Sequence, residues 1–281
     1  MIDHKERKFS VSISVYKNDD PSHFKSAIES VYKQTLKPNE VVLVVDGPVN
    51  DEISQIIHNF KKTNPNFKVI WLKENLGHAG ARRVGLENCS NEIIALMDSD
   101  DLSVKDRFEK QIKVLLKNKN ISVVGGQIEE FDDDKNKVIG NRFVPLEDKY
   151  IKEYMKYRCP MNQVTVMFRK QDVLKAGGYL DWHNNEDYYL WIRMVLANQK
   201  FRNLNDILVR VRVNDNMYKR RGGWLYYKSE KKIQKLMLNK KIISKCRYLI
   251  NTSIRFIIQV LIPNYLRRYL FVKLFRKKQV L

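Results

Sequence analysis

The sequence predicts an α/β fold in which a mainly parallel sheet is flanked by helices and followed by basic amphipathic helices. Three observations carry this. Strand-like and helix-like segments alternate four times in about the first 125 residues, the pattern of units that build a parallel sheet. Several strands are unbroken apolar runs, such as Val41–Val45 and Ile93–Met97, as expected for strands covered on both faces. The charge is unevenly placed: from Lys228 onward fifteen Lys/Arg face one acid, Glu230, which is +14 of the chain's net +20. With 43% hydrophobic residues in 281, the chain can build a full core and disorder is not expected.

Taken in order, Phe9–Val15 alternates and is rich in β-branched residues, the mark of a strand. Pro21–Lys33 places Phe24, Ala27, Ile28 and Val31 at helical spacing behind the capping-type residues Asp19 and Asp20. Val41–Val45 is a buried strand ending in the turn Asp46-Gly47-Pro48. A helix over Glu52–Phe60, a short strand over Val69–Leu72, a helix over Ala79–Glu87 and a strand over Glu92–Met97 follow. Val104–Leu116 reads as an amphipathic helix and Ile121–Val124 as the next strand. In such sheets ligands sit beyond the carboxyl ends of the strands, which is where Asp46 and Asp98 fall.

After Gly126 the alternation stops. Ile128–Val144 reads as a hairpin around Asp132-Asp133-Asp134, Val164–Phe168 as a strand, Asp187–Ala197 as a helix and Ile207–Val213 as an alternating strand. From Gly223 the pattern is helical: Trp224–Asn239, Ile242–Leu261, and Tyr265–Lys277 beyond Pro263. The expected division is a body over residues 1–222, split near residue 126, and a basic helical extension over 223–281.

Three acids in four residues, Asp98-Ser99-Asp100-Asp101, close the strand that ends at Met97. Carboxylates this close repel one another and resist leaving water. A divalent cation bound to a polyphosphate relieves that conflict, since hard cations take oxygen ligands. Asp101 can equally serve the turn before the next helix. A phosphatase-type DxDxT reading fails because Leu102 stands where Thr is needed. Glu186 and Asp187 open a helix whose Leu190, Trp191, Met194 and Val195 share a face. Acids there favour the helix dipole, and one can act as a general base toward a hydroxyl. Asn75-Leu76-Gly77-His78-Ala79-Gly80-Ala81-Arg82-Arg83 bears glycines but is neither a dinucleotide fingerprint nor a P-loop. Arg82 or Arg83 can reach a phosphate from this helix start, and His78 reads as a turn residue. Cys89, Cys159 and Cys246 show no metal-ligand spacing and fit a reducing compartment. Met1–Lys8 is charged, and no signal peptide is expected there.

In order along the chain, these residues resemble inverting glycosyltransferase family 2, with the GT-A fold. Ser12-Ile13-Ser14-Val15-Tyr16 resembles the first strand, Ser30-Val31-Tyr32-Lys33-Gln34-Thr35 the S-x-x-x-Q-T helix end, and Val44-Val45-Asp46-Gly47 the second strand. Asn75-x-Gly77 with Ala81-Arg82, Asp98-x-Asp100, and Glu186-Asp187 before Leu190-Trp191 complete the set, which spans about residues 9 to 213. Gly47-Pro48 departs from the family, where a second Asp is usual. The VDGP variant, with Tyr218-Lys219-Arg220-Arg221-Gly222-Gly223, is similar to the bacterial branch that builds surface polysaccharides of the amylovoran and O-antigen type.

The resemblance implies a donor UDP-hexose, glucose or galactose, held by Ser14, Tyr16, Asp46, Arg82, Asp98, Arg220 and Arg221. It implies Mn²⁺ or Mg²⁺ held by Asp100 with Asp98, and Asp187, next to Glu186, as the base that activates the acceptor hydroxyl. Trp191 is placed at the acceptor. The implied acceptor is an undecaprenyl-diphosphate-linked sugar, and the reaction a single displacement that yields a β-linkage. The basic tail, with Ile254–Pro263 too short to span a bilayer, has the composition of helices lying on an anionic membrane surface. That places the enzyme peripherally on the cytoplasmic face of a bacterial inner membrane. Nucleic acid is not an expected partner, because acids rather than cations line the ligand edge. A nucleotidyltransferase typically opens with a Gly-rich loop after its first strand; here Tyr16-Lys17-Asn18-Asp19 follows.

Overall fold

The computed structural model describes residues 8–132, 138–213 and 221–263, together with Arg267. Its sheet begins with four parallel strands: β1 (Phe9–Val15), β2 (Glu40–Val45), β3 (Phe67–Trp71) and β4 (Ile93–Met97). The helices between them are α1 (Pro21–Tyr32), α2 (Asp51–Thr63) and α3 (Gly77–Asn88). Asp20 caps α1 by accepting from the Ser22 and His23 amides, with Pro21 in the first turn, and Asn50 caps α2; both satisfy amides that a helix start leaves open.

The remaining strands turn the sheet mixed. They are β5 (Leu102–Ser103), β6 (Val123–Phe131), β7 (Val138–Arg142), β8 (Met167–Arg169) and β9 (Phe201–Arg212), and the order across the sheet is β3-β2-β1-β4-β8-β6-β9-β5, with β7 paired to β6. Around them lie α4 (Arg107–Lys117), α5 (Asp148–Met155), α6 (Lys170–Lys175), α7 (Glu186–Leu196), α8 (Trp224–Asn239) and α9 (Lys245–Phe256), and α9 runs into a π-helical turn, Ile257–Leu261.

Period-2 alternation of the strands feeds two cores. Val41, Leu43 and Val45 of β2 join one core with Phe24 and Ile28 of α1, Ile57 of α2 and Phe108 of α4. Val42 joins the other with Leu86 of α3, Trp191 of α7 and Met237 of α8. The C-terminal helices α8 and α9 therefore share the core of the body. Tyr188 Oη on α7 donates to the Met155 carbonyl, and buried Ser229 of α8 accepts from Asn185 Nδ2 at 3.1 Å and donates to the His183 carbonyl at 2.5 Å. Thus α8 holds the loop that leads into α7.

Several elements differ from expectation. The strand read at Ile121–Val124 runs on to Phe131 and becomes the first arm of the hairpin, since every residue from Val123 except Glu129 is buried. Over Val164–Phe168 only the end is strand; Gln163–Thr165 is a 3-10 turn. The strand at Ile207 starts six residues earlier, at Phe201, because β6 pairs with it in parallel from Val123 onward. The helix read over Ile242–Leu261 starts at Lys245, where Ser244 caps it. Helices α5 and α6 and the two-residue β5 carry no pattern in the sequence; all are short, and their signal lies in tertiary pairing. The hairpin tip at Asp133-Asp134 and the helix read at Tyr265–Lys277 lie outside the described residues, Arg267 excepted.

The strand order positions the site. From β1 the chain steps outward through β2 and β3, then returns across β1 to β4. The loops after β1 and β4 thus flank the point where the winding reverses, the place where open α/β sheets leave a ligand crevice.

Candidate active site

Register delivers the acids to that crevice. Ile13 pairs with Met97 and Val15 with Val45, so the segments beginning at Tyr16, Asp46 and Asp98 emerge side by side. Asp19 and Ser99 tie two of them together: Ser99 Oγ donates to Asp19 Oδ2 at 2.7 Å, and the same oxygen accepts from the Tyr16 amide at 3.1 Å. Burial pushes the Asp19 carboxyl above its ordinary range against those two bonds. Tyr16 is exposed and Ser14 half-buried.

Asp46 is buried, and its Oδ1 accepts from the Leu76 amide at 2.7 Å, while Asn75 Nδ2 donates to its carbonyl at 3.1 Å. This closes the segment Asn75–Gly77 over the end of β2. Gly47 has φ 83°, and a Cβ there would stand 2.9 Å from the Asn75 nitrogen. The second Asp usual in the resemblance would clash with this closure, which accounts for glycine at that position.

The three acids after β4 are unequal. Asp98 Oδ1 accepts from Arg82 Nη2 at 2.5 Å. Burial pushes its carboxyl up, but Arg82 and His78 outweigh burial and hold it below the ordinary range. Asp100 is exposed, yet desolvation by the surrounding protein and the nearby charges of Asp98 and Asp19 push it up to about 6. Asp101 is buried and accepts from the Arg212 amide at 2.8 Å, and Arg212 Nε donates to the Asp100 carbonyl at 3.1 Å. Burial and the neighbouring acids raise its carboxyl well above the ordinary range, so Asp101 shapes the loop. Behind the strand Arg107 is fully buried and donates to the Leu96 carbonyl at 2.7 Å. Its charge offsets part of the acids' repulsion.

Glu186 and Asp187 reach the same crevice from the other half of the chain. Glu186 Oε1 and His78 Nδ1 are 2.7 Å apart. Burial raises the Glu186 carboxyl, but the bond to His78 and the electrostatic pull of that side chain bring it below its ordinary range. Asp187 Oδ1 accepts from the Tyr188 amide at 2.6 Å, and Oδ2 lies 3.5 Å from Cys159 Sγ. Burial, then the Glu186 charge, push Asp187 up to about 6. One acid is thus a fixed, ionised anchor and its neighbour is poised near neutrality. Environments that split two adjacent carboxyl groups in this way assign them different tasks.

One expected site residue, Trp191, stands elsewhere, and the two arginines before α8 have different standings. Trp191 is fully buried, edge-on to Phe201 with ring centroids 6.2 Å apart, which leaves none of its surface for an acceptor: the helical face it shares with Leu190 and Met194 is the core face. Arg220 lies outside the described residues, and Arg221, half-buried, begins the turn before α8, where Gly223 donates to the Gln259 carbonyl at 2.8 Å. Conversely, Asp19, Ser99, His78, Cys159, Arg107 and Arg212 belong to the site or its support, and the sequence does not mark them for it. The Asp19-Asp20 pair holds a usable signal, since one acid suffices to cap a helix and Asp20 does so. His78 holds none: its partner is 108 residues away.

The acids at the crevice suit a divalent cation. Among the described residues no three His, Cys, Asp or Glu side chains converge as a metal cage. Small hard cations are commonly held by one or two carboxylates, with substrate phosphates and water completing the shell. With Asp98 Oδ1 held by Arg82, exposed Asp100 is the carboxylate best placed for such an ion, whose charge would relieve its repulsion with Asp98 and Asp19.

This geometry coincides with a family model, described as glycosyl transferase family 2, that matches residues 10–178. The chain belongs to glycosyl transferase family 2. It is accordingly an enzyme that transfers a glycosyl group, which decides against nucleotidyl transfer and against a non-enzymatic polyanion-binding protein. This family 2 glycosyltransferase is 35% identical to the amylovoran biosynthesis glycosyltransferase AmsE of Erwinia amylovora over 230 residues, 82% of this chain and 85% of AmsE. It is 32% identical over 270 residues, 96% of this chain and 97% of the other, to the Escherichia coli UDP-Gal:alpha-D-GlcNAc-diphosphoundecaprenol beta-1,3-galactosyltransferase. Among solved structures, S. aureus TarS 1-349 in complex with UDP-GlcNAc superposes with TM-score 0.63 at 19% identity, covering 94% of this chain and 75% of TarS 1-349. That likeness shows the GT-A fold.

Proposed function

We propose that this enzyme is an inverting hexosyltransferase of bacterial surface-polysaccharide synthesis. It moves glucose or galactose from a UDP-sugar onto an undecaprenyl-diphosphate-linked sugar. The observation that carries the reading is the pairing of a poised carboxyl, Asp187 at about 6, with an acid-lined crevice at the strand reversal. The E. coli relative's named donor and acceptor support the substrate classes.

Tyr16 and Asp46 receive the uracil, and Asp98 receives ribose or sugar; Arg82, expected at base or diphosphate, is buried and bonded to Asp98, and so positions that carboxylate. Asp100, with Asp98, would hold Mn²⁺ or Mg²⁺, which when bound supplies positive charge to the leaving diphosphate. Glu186, anchored by His78, orients the start of α7. Asp187 takes the proton from the acceptor hydroxyl as that oxygen attacks the anomeric carbon from the face opposite UDP. The C–O bond to the sugar forms as the bond to the diphosphate oxygen breaks, so one displacement inverts the configuration. The lipid-linked acceptor places the enzyme peripherally at the cytoplasmic face of the inner membrane, and no helix among the described residues is long and apolar enough to cross it. The test is UDP release from a panel of nucleotide-sugars against GlcNAc- and GalNAc-diphosphate-lipid analogues. UDP-glucose or UDP-galactose turning over with one analogue to a β-linked product supports the reading. An α-linked product, or turnover with no UDP-hexose, overturns it.

A further inference from the structure

Helix α9 is built inside out. The side it turns to the protein carries Asn251, Thr252 and Arg255, continued by Gln259 in the π-helical turn. The side it turns outward carries Ile250, Ile254, Ile257 and Leu261, which are 50%, 50%, 50% and 60% exposed. Their spacing of four, three and four residues is one helical face. An ordinary surface helix has the reverse arrangement.

The orientation is locked by polar bonds. Asn251 Nδ2 donates to the Lys156 carbonyl at 2.8 Å and to Gln234 Oε1 at 2.7 Å. Arg255 pairs with Glu230 of α8 and donates to the Tyr157 carbonyl. Rotating the helix to hide its isoleucines would strand these groups in the core, which costs more than leaving aliphatic carbon in water. The apolar face is thus held outward by the fold itself, and Trp224 and Leu225, 51% and 69% exposed at the start of α8, extend it. Trp224 lies 6.3 Å from Phe256, ring to ring.

The surroundings of this face are positive. Lys240, Lys241 and Lys245, at the turn between α8 and α9, are exposed, and the sequence after Glu230 contains no acid at all. Glu230 itself is buried and taken up by Arg255. An aliphatic stripe on a segment that carries exposed lysines and no acid of its own after Glu230 matches a surface that is apolar within and anionic at its rim.

We propose that the outward face of α9, with Trp224 and Leu225, docks on an anionic lipid bilayer. Ile250, Ile254, Ile257 and Leu261 enter the boundary between headgroups and acyl chains, and the lysines meet lipid phosphates. This deepens the membrane placement proposed above, on which its biological sense rests, and names the residues that make the contact. Because α8 also holds the loop leading into α7, the docked face is rigidly joined to the segment bearing Asp187.

The experiment uses the full chain and two vesicle types, phosphatidylcholine alone and phosphatidylcholine with phosphatidylglycerol, in a co-sedimentation assay. Deleting α9 is unsuitable, since that would open the core around Ile233 and Met237. Instead Ile254→Ser/Ile257→Ser, outward positions with no polar partner to lose, is compared with the native protein at matched thermal stability. Expected is binding to the phosphatidylglycerol vesicles that weakens with salt and falls about tenfold or more in the double variant. Lys240→Gln/Lys241→Gln/Lys245→Gln is expected to weaken it at low salt as well. Equal binding by native and double-variant protein, no binding to either vesicle, or a native dimer that the double variant disperses would overturn the proposal; the last would make the face a self-association surface. Vesicle binding that survives in a protein turning over no UDP-hexose would sink the proposed reaction and leave the docking face standing.

Discussion

Replacing Asp187 with Asn separates catalysis from folding in one step. The amide matches the carboxylate in size, its oxygen still accepts from the Tyr188 amide, and its nitrogen takes the place of the oxygen facing Cys159. What disappears is the proposed base. General-base catalysis contributes about 10²–10⁴ in rate, or about 3–5 kcal/mol of barrier, and turnover should fall by that factor while UDP affinity, assigned to Tyr16 and Asp46 in the proposed reaction, is retained. Stability should move the other way. The Asp187 carboxyl is raised from an ordinary 3.8 to about 6 in the folded protein, so the folded state binds the proton more tightly than the unfolded chain. The native protein therefore loses stability as pH rises from about 4 to about 6 and carries the full cost above that. A rise of that size amounts to at most about 3 kcal/mol. Asp187→Asn should be more stable than the native protein at pH 7.5 by up to that amount, and the difference should vanish below about pH 4. The assays are UDP release, isothermal UDP binding, and urea unfolding across pH. In the native enzyme, kcat should fall on the acid side with a midpoint near 6, leaving about a tenth of the rate at pH 5. A variant within about threefold of native turnover, or one destabilised at pH 7.5, would refute the reasoning.

Three further outcomes are expected. Chelation should lower UDP release by about tenfold or more and Mn²⁺ should restore it, with Asp100→Asn raising the metal concentration needed in a titration. Arg82→Met removes the buried cation beside Asp98 and should cost about 2–3 kcal/mol in urea unfolding at pH 7, below the full cost of a wholly buried pair because Asp98 is 30% accessible. Asp98 has a lowered carboxyl in the native protein, so its contribution is present above its ordinary range and is lost as pH falls; the Arg82→Met penalty should therefore shrink below about pH 4. Trp191→Phe should lower stability by about 1–3 kcal/mol through lost packing and leave the acceptor KM unchanged, a result that a stacking role at the acceptor would contradict.

Local chemistry was legible where one segment carried the whole signal. The valine runs, the Asp20 cap and the acid triplet after Met97 each depend on residues within a few positions of one another, and each stands where expected. Asp101, open in the sequence to a turn role before the next helix, does shape its loop, but through the distant Arg212 amide. Trp191 shows the limit: its position beside Glu186-Asp187 said that it was near the site, but only packing reveals which side of α7 faces Phe201. His78 shows it again, since a turn residue and the anchor of Glu186 look alike until α3 and α7 are brought together.

The sequence by itself determined that this chain opens with a parallel, nucleotide-type run of strands (the later strands turn the sheet mixed), that carboxylates gather at its ligand edge, and that its last fifth is strongly basic. All three are written in composition and in short-range periodicity. Tertiary structure decided how those carboxylates differ, because burial, Arg82 and His78 act across separations of 16 and 108 residues and push neighbouring acids in opposite directions. It also decided that the basic helices share the core of the body. Which face of α9 turns outward depends on partners at Lys156, Tyr157, Glu230 and Gln234, and a helix locked by buried polar bonds can expose its isoleucines where a helical pattern alone would have hidden them.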